Sequence, residues 1–149
     1  MKILVQRVIN AHVKIDGNIK GSIEKGLVLF VGFGTNDLES DIDKLIAKVI
    51  NLRIFDDEDG IMNKSILDVS GSILSISQFT LYADTNSGRR PSYTHAMHPD
   101  KATILYDLFN HKLKKHVKLE TGVFGANMQV NLINDGPITI MLESGNKSV

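Results

Sequence analysis

The chain has 149 residues, of which 42% are hydrophobic and 23% charged, a composition that indicates one folded domain over residues 1–149. Its 17 basic and 17 acidic residues cancel and it has no cysteine, which removes any overall attraction to nucleic acid and excludes disulfides and a cysteine nucleophile. No apolar run approaches the roughly 20 residues that span a bilayer, and the charged start is unlike a secretory signal, so we expect a cytoplasmic protein without membrane contact.

The first part of the sequence predicts three strands. Residues 2–15 alternate β-branched and polar side chains, as a half-buried strand does. Asp16-Gly17 is a strong hairpin signal, so a second strand is expected over residues 18–23. The continuous apolar run at residues 27–31 predicts a buried third strand.

A helix follows, predicted from apolar residues spaced i, i+3, i+4 and i+7. Asn36 or Asp37 is a suitable N-cap for it. The acidic segment 56–60 lacks the closing glutamate of a calcium loop and is interpreted as a turn. The apolar stripe of the helix consists of Leu38, Ile42, Leu45, Ile46, Val49 and Ile50.

The second part predicts a strand over residues 72–81, a loop at 87–91 and a helix that begins at Pro99. Two further strands are expected at 128–132 and 138–142, and an irregular tail from Ser144. The count is about seven strands and two helices, without regular βαβ alternation. We therefore predict an α+β fold: a largely antiparallel, β-barrel-like sheet with two flanking helices.

Polar side chains collect where the strand predicted over 72–81 ends. Ser77, Gln78 and Thr80 surround Phe79. A hydroxyl, an amide and free backbone N–H groups are suited to holding a carbonyl and its developing oxyanion. The same pattern also fits an edge strand with alternating polar residues.

Asn134 opens a second segment, which runs through Gly136 and Pro137 between two apolar runs. A Gly-Pro pair usually marks only a turn. An X–Pro bond is also where cis peptides occur, and a cis bond would point two neighbouring carbonyls the same way as a selectivity element. Both interpretations stay open at this point.

Two basic clusters are candidates for phosphate binding. Arg89 and Arg90 lie in a loop that either binds phosphate or is simply solvated. Cations at the end of the second helix either interact with the helix C-terminus or bind an RNA backbone. This second cluster consists of Lys112, Lys114, Lys115, His116 and Lys118.

Other catalytic classes lack their residues. His95 and His98 are three apart, but no third ligand is suitably spaced, so no metal is expected. No Ser-His-Asp order or G-x-S-x-G elbow indicates a hydrolase triad. The glycines at 32 and 34 lack the rest of a phosphate-binding loop, so no cofactor is expected either.

Three segments in order, SQFTL at 77–81, GRRPSY at 88–93 and GVFGANMQVNLINDGPIT at 122–139, resemble the D-aminoacyl-tRNA deacylase family. The start, with QRV at 6–8 and GSI at 21–23, is also similar, so the resemblance spans essentially the whole chain. It implies a homodimer of β-barrel-like subunits with active sites at the dimer interface. It implies hydrolysis, without metal or cofactor, of the ester that joins a D-amino acid or glycine to the 3′-terminal adenosine of tRNA.

The resemblance also implies residue roles. Ser77, Gln78, Phe79 and Thr80 would line the pocket. A cis Gly136–Pro137 would enter the partner's pocket and exclude L-aminoacyl esters, with Asn134 in the same motif. Arg7 would help to fix that turn, and Ala126 and Met128 would shape the adenosine side. Phosphates of the tRNA would contact Arg89, Arg90, Lys112, Lys114 and Lys115.

Two routes for the hydrolysis follow from these residues. Thr80 could be the nucleophile, but its motif offers no activating base. We favour water positioned or activated by the 2′-OH of the tRNA, with N–H groups near Phe79 and Thr80 holding the oxyanion. The rival functions are a non-catalytic tRNA-binding module and an esterase or peptidase acting on small D-amino-acid derivatives.

Overall fold

Strand β1 (Lys2–Ile15) organises the sheet, because it pairs antiparallel with three other strands. In the computed structural model, which describes residues 1–145, its second half forms the predicted hairpin with β2 (Asn18–Ile23). Asp16 and Gly17 both have positive φ in this turn, as a tight two-residue hairpin requires. The first half of β1 pairs with β3 (Gly26–Gly32).

The sheet continues from β3 through two parallel pairs. Strand β6 (Ser72–Ser77) lies beside β3, and β7 (Lys118–Thr121) lies beside β6. At Gly21 of β2, an added Cβ would lie 3.2 Å from the Thr121 carbonyl oxygen, so β2 approaches β7 and the sheet nearly closes. This confirms the predicted α+β fold with a mostly antiparallel, barrel-like sheet.

Helix α1 (Glu39–Asn51) forms as the apolar stripe predicts, and five of the six stripe residues are buried. The predicted N-cap is wrong. Leu38 occupies that position and is exposed, and its backbone N–H donates to the Asp41 carboxylate at 2.8 Å. The Asp37 carboxylate instead accepts hydrogen bonds from residues around the candidate site.

Helix α2 (Pro99–Leu113) packs with α1 against the larger core cluster. His98 is its N-cap and accepts a hydrogen bond from the Asp100 backbone N–H at 3.4 Å. Tyr106, on the buried face, donates its hydroxyl proton to the Ser75 carbonyl at 2.9 Å. That bond ties the helix to β6, the strand that leads into the candidate site.

The predicted strands differ from the observed ones at several ends. The strand expected over 72–81 ends at Ser77, and a 3₁₀ turn (Phe79–Tyr82) follows. The two strands expected near the C-terminus are one strand, β8 (Gln129–Glu143), which pairs with β1 over nearly all its length. Three short strands were missed: β7, and β4 (Phe55–Asp56) with β5 (Met62–Lys64), a hairpin around the predicted acidic turn.

Met1 and Ser144 meet beside this sheet. Ser144 donates its N–H to the Met1 carbonyl at 2.9 Å, so the tail expected to be irregular from Ser144 is held at its first residue. The rest of that expectation concerns residues 146–149, which lie outside the described part. Within residues 1–145, no helix is long and apolar enough to cross a membrane.

Candidate active site

A cavity of about 660 Å³ opens where β3 and β6 end. Its walls come from the 3₁₀ turn, the N-terminus of α2 and the segment that leads into β8. Three of the four predicted pocket residues, Ser77, Gln78 and Phe79, line it, and so do the two predicted adenosine-side residues, Ala126 and Met128. Two motifs that are distant in sequence, at 77–81 and 122–139, are therefore brought together in one chain.

The backbone turns sharply at the floor of this cavity. Gln78 donates its N–H to the Val31 carbonyl at 2.8 Å, and this is the last link of β6 to β3. Gly32 makes the turn feasible, because a Cβ there would lie 2.8 Å from the Gln78 carbonyl oxygen. The 3₁₀ turn then begins at Phe79, and the first N–H groups of any helix lack partners within it.

Phe79 and Thr80 supply those free donors. Across residues 1–145, the backbone N–H groups of Phe79 and Thr80 donate no hydrogen bond. The Thr80 hydroxyl oxygen accepts a hydrogen bond from the Gln78 side-chain amide. An amide N–H is a donor and cannot take a proton from the threonine, so Gln78 offers Thr80 no activating base in this arrangement.

The opposite wall depends on a close approach by Met128. A Cβ at Gly122 would lie 2.5 Å from the Met128 sulfur, so glycine leaves the space that the methionine side chain occupies. Gly125, with φ of 76°, makes the turn that carries Ala126 past the cavity. This wall is uncharged and mostly apolar, with Asn127 among its residues, a composition typical of small-molecule pockets.

Asp37 fixes the 3₁₀ turn from outside the cavity, a role that the sequence did not indicate. One carboxylate oxygen accepts from the Gly34 N–H at 2.6 Å and from the Tyr82 hydroxyl at 3.1 Å. The other accepts from the Met1 ammonium group. Burial, followed by the Asp37 charge, raises the pKa of Tyr82, so this hydroxyl remains a donor.

The same loop holds the other flank of the cavity. Thr35 donates its N–H to the His95 carbonyl at 3.1 Å, and Met97 donates to the Phe33 carbonyl at 2.9 Å. Met97 lies next to His98 and lines the cavity. Residues 33–37 therefore connect both walls, the 3₁₀ turn on one side and the start of α2 on the other.

The Gly136–Pro137 segment lies elsewhere. It forms a bulge in β8 opposite Arg7, between the pairs Val8–Asn134 and Gln6–Thr139, and its peptide bond is cis, as the family resemblance implies. Gly136 and Pro137 are exposed, and neither lines the cavity of its own chain. The bulge is thus a surface feature of the single chain.

Arg7 holds this bulge, as the resemblance implies. Its guanidinium is 8% exposed and donates to the Asp135 carbonyl at 3.3 Å and the Ile54 carbonyl at 2.8 Å. It also pairs with the Asp135 carboxylate at 3.2 Å. A nearly buried cation with several acceptors is held in one place, so it fixes the backbone that it contacts.

Asn134 closes the bulge from the strand side. Its amide nitrogen donates to the Arg7 carbonyl at 3.0 Å and to the Ile138 carbonyl at 2.9 Å. Its amide oxygen accepts from the Thr139 hydroxyl at 3.3 Å. Asn134 therefore bridges the two ends of the bulge, and its role in this structure is to shape the turn.

The predicted cation patches differ from one another. Lys112 bridges to α1, with its ammonium 3.2 Å from the Glu39 carboxylate and 2.9 Å from that of Asp43. Hydrogen bonding to Asp43, opposed in part by desolvation, raises the pKa of Lys112. Lys114 and Lys115 are exposed at the end of α2. Among these three lysines, Lys112 is the one engaged inside the chain.

Arg89 and Arg90 are exposed in the loop that precedes Tyr93, a residue of the cavity lining. The antiparallel bridge between Asp84 and Ser92 closes this loop. The described residues contain no group of three His, Cys, Asp or Glu side chains arranged to hold an ion.

Residues 4–143 match the family model described as D-Tyr-tRNA(Tyr) deacylase. A solved structure described as c-Myc DNA Unwinding Element Binding Protein is 37% identical, with a TM-score of 0.91, over 96% of this chain and 98% of that one. A second, described as a probable eukaryotic D-amino acid tRNA deacylase, shares the fold at 15% identity, with a TM-score of 0.82 over 95% and 97% of the two chains. The family match supports a deacylase, hence hydrolase, activity with tRNA as substrate. The chain belongs to the D-Tyr-tRNA(Tyr) deacylase family.

Proposed function

We propose that the protein hydrolyses the ester between a D-amino acid, or mischarged glycine, and the 3′-terminal adenosine of tRNA, releasing the free amino acid and tRNA. The observation that carries this proposal is the pair of free backbone N–H groups, on Phe79 and Thr80, beside a cavity lined by the family's motif residues. Preorganised donors of this kind stabilise the oxyanion of acyl transfer.

The reaction needs little beyond positioning. Water adds to the ester carbonyl, and the resulting oxyanion accepts from the Phe79 and Thr80 N–H groups. The carbon–oxygen ester bond then breaks, and the ribose oxygen leaves with a proton. Thr80 is a binding group in this scheme, because its oxygen accepts from the Gln78 amide and meets no base there. The neighbouring 2′-OH of the tRNA positions the water.

Chiral selection is assigned to the Gly136–Pro137 bulge of a second subunit. The bulge is exposed and rigidly held by Arg7 and Asn134, but it does not line the cavity described above in its own chain. A homodimer that inserts it into the partner's cavity completes each site. Support for a partner comes from β8, which carries Ile133 at 51% and Met141 at 43% exposure.

Backbone is suited to this selection because a proofreading enzyme must accept many side chains. D- and L-aminoacyl esters carry the same groups, so discrimination depends on where a fixed wall meets the substituents of the α-carbon. Carbonyl oxygens of Gly136 and Pro137 bind the α-ammonium group and leave no space for a side chain in the L position. Rejecting the wrong substrate by collision is a general route to specificity.

Binding of the tRNA itself is assigned to exposed cations. Arg89, Arg90, Lys114 and Lys115 are available for phosphate, whereas Lys112 is paired with α1. Each neutralised phosphate should contribute about 0.7–0.9 to the slope of log affinity against log salt. Removal of Lys114 and Lys115 should reduce that slope, and Lys112→Gln, the matched control, should not.

The first test is deacylation of D-Tyr-tRNA beside L-Tyr-tRNA by the purified protein with EDTA present. Loss of the D ester alone supports a metal-independent chiral deacylase. Loss of both esters at similar rates would contradict the selectivity, and loss of neither would contradict the activity.

A nucleic-acid-binding protein without this chemistry is the second candidate. The observation that favours it is the 37% identical relative, which is named for binding a DNA unwinding element. If tRNA or single-stranded DNA binds and neither ester is cleaved, this second function is the correct one.

A further inference from the structure

The rim of the cavity carries an exposed aromatic pair. Phe79 is 55% exposed and Tyr93 is 39% exposed, and both line the cavity. Their ring centroids are 4.9 Å apart, with the planes at 64°, so one ring meets the other edge to face. The pair presents aromatic surface to solvent beside the opening, where a ligand would displace water from it.

Cations lie close to this pair in sequence and are joined to it by a short closed loop. Tyr93 directly follows the Asp84–Ser92 bridge, whose two N–H···O bonds measure 2.8 and 2.9 Å. The loop between them carries Arg89 and Arg90, which have no carboxylate partner within 4.0 Å in the described part of the chain. The Asp84 carboxylate accepts from Asn86 instead, at 2.9 and 2.8 Å.

Aromatic faces beside unpaired cations are what single-stranded nucleic acids bind. Bases stack on the rings, whatever their identity, and the cations follow the phosphates. Tyr93 and the two arginines belong to one short segment, residues 89–93, so the chain keeps them near each other. The Tyr93 carbonyl accepts from the Ala96 N–H at 3.0 Å, and within residues 1–145 the Tyr93 hydroxyl makes no hydrogen bond.

We propose that the Phe79–Tyr93 pair is a second nucleotide subsite, which stacks the base preceding the terminal adenosine while Arg89 and Arg90 contact the phosphates of that strand. This inference rests on the proposed function, because it takes the terminal adenosine and its ester to fill the cavity. The strand then leaves across the rim, where the next base meets the exposed rings.

The subsite links recognition to chemistry. Phe79 supplies an oxyanion donor from its backbone and a stacking surface from its side chain, so a base bound on the rim steadies the residue that holds the oxyanion. The enzyme should therefore favour esters that carry at least one nucleotide before the adenosine. A free aminoacyl-adenosine offers the ester but no base for the rim.

The experiment compares two esters, D-Tyr on a trinucleotide ending in the terminal adenosine and D-Tyr on adenosine alone. The variants are Tyr93→Leu, which keeps apolar bulk without an aromatic face, and Tyr93→Phe, which keeps the face. For Tyr93→Leu, kcat/KM on the trinucleotide ester should fall about tenfold more than on the adenosine ester, as expected for loss of one stacked base. Tyr93→Phe should leave the ratio of the two values unchanged.

The arginines are tested in parallel. Arg89→Gln with Arg90→Gln should lower kcat/KM on the trinucleotide ester and weaken its salt dependence, whereas Lys20→Gln, an exposed cation on β2, should do neither. If wild type cleaves both esters and Tyr93→Leu loses equally on each, the subsite is wrong and the ring only supports Phe79. If wild type cleaves D-Tyr-tRNA but neither short ester, the subsite is wrong, and if it cleaves none of the three, the proposed function fails and the subsite with it.

Discussion

The 3₁₀ turn at Phe79–Tyr82 and the bulge around Gly136–Pro137 are both rigid, but they are rigid for different purposes. The turn is fixed by its own chain and faces its own cavity. The bulge is fixed equally well by Arg7 and Asn134, yet it faces solvent. Ordering a segment costs conformational entropy, and this exposed bulge gains little burial in return. We therefore expect its fixed shape to be used in binding a second molecule.

The largest effect should come from breaking the bulge. Gly136 has φ of 121°, and a Cβ there would lie 2.9 Å from the Ile138 side chain and 3.2 Å from the Arg7 guanidinium. Gly136→Ala should therefore displace the carbonyls, and a misplacement of this kind lowers kcat/KM on D-Tyr-tRNA about hundredfold. The ratio of the cleavage rate of D-Tyr-tRNA to that of L-Tyr-tRNA should fall as well.

The matched control is Gly60→Ala. Gly60 also has positive φ, 75°, but an added Cβ meets nothing within 4 Å, so this variant carries backbone strain without a collision. Both variants should be compared by thermal unfolding and by D/L rates. If Gly136→Ala keeps wild-type selectivity while folded, the bulge does not select the substrate.

Mixed dimers test whether the bulge of one subunit completes the cavity of the other. Ala126→Trp fills the cavity, whereas Gly136→Ala damages the bulge, and each homodimer should be nearly inactive. In a dimer of one subunit of each kind, one site has an intact cavity and an intact bulge. Random mixing should thus restore about a quarter of wild-type activity.

The measurement is activity after the two variants are unfolded together and refolded, beside each variant refolded alone. Ala126→Trp mixed with Gly60→Ala provides the positive control, since both its bulges are intact. Failure of the first mixture to regain activity, when the control mixture does and native mass spectrometry shows mixed dimers in both, would place bulge and cavity in the same subunit.

The next prediction concerns the 3₁₀ turn at Phe79–Tyr82, where the expected effect on activity is smaller. Tyr82→Phe removes the hydroxyl that donates to the Asp37 carboxylate, a bond to a charged acceptor worth about 1.5–3 kcal/mol. With the turn less firmly held, kcat should fall about tenfold with little change in KM. Tyr106→Phe is the control, because it removes a buried hydroxyl that bonds to Ser75, away from the cavity lining.

The pH dependence of this pair has a definite sign. Burial and the Asp37 charge raise the pKa of Tyr82, so its hydroxyl contributes fully below the unfolded pKa of about 10 and is lost only as pH rises through the higher folded value. The difference in Tm between wild type and Tyr82→Phe should stay constant from about pH 6 to about pH 9. A gap that closes in this range would contradict the raised pKa of Tyr82, and the absence of a gap at every pH would show that the bond does not stabilise the fold.

The sequence predicted the local elements of the fold and missed what depends on distant contacts. Asp16-Gly17 defines its hairpin through turn geometry alone, and the α1 stripe defines its helix. The strand over 72–81 was extended too far, because its alternation continues past Ser77. What ends it is Gly32, on a neighbouring strand, which allows the chain to turn back.

The residues of the candidate site also divide into those that the sequence predicts and those that depend on distant contacts. The motifs identified Gln78, Phe79 and the bulge, and the fold brings the first two to one cavity. Asp37 was interpreted as a helix cap, since a carboxylate before an apolar stripe normally has that role. Its actual partner, Tyr82, is 45 positions away, and no local pattern in the sequence encodes such a contact.

Thr80→Ala should have the smallest effect, and it separates the two routes of hydrolysis. The substitution keeps the backbone N–H that holds the oxyanion and removes only a hydroxyl that accepts from Gln78. If water attacks, single-turnover cleavage of D-Tyr-tRNA should stay within about threefold of wild type, the size expected for one neutral hydrogen bond. A threonine nucleophile would instead make the variant inactive, with an acyl-enzyme visible by mass spectrometry in the wild type. Near-normal turnover would therefore assign the chemistry of the 3₁₀ turn to its backbone, the same kind of group that the bulge presents to its partner.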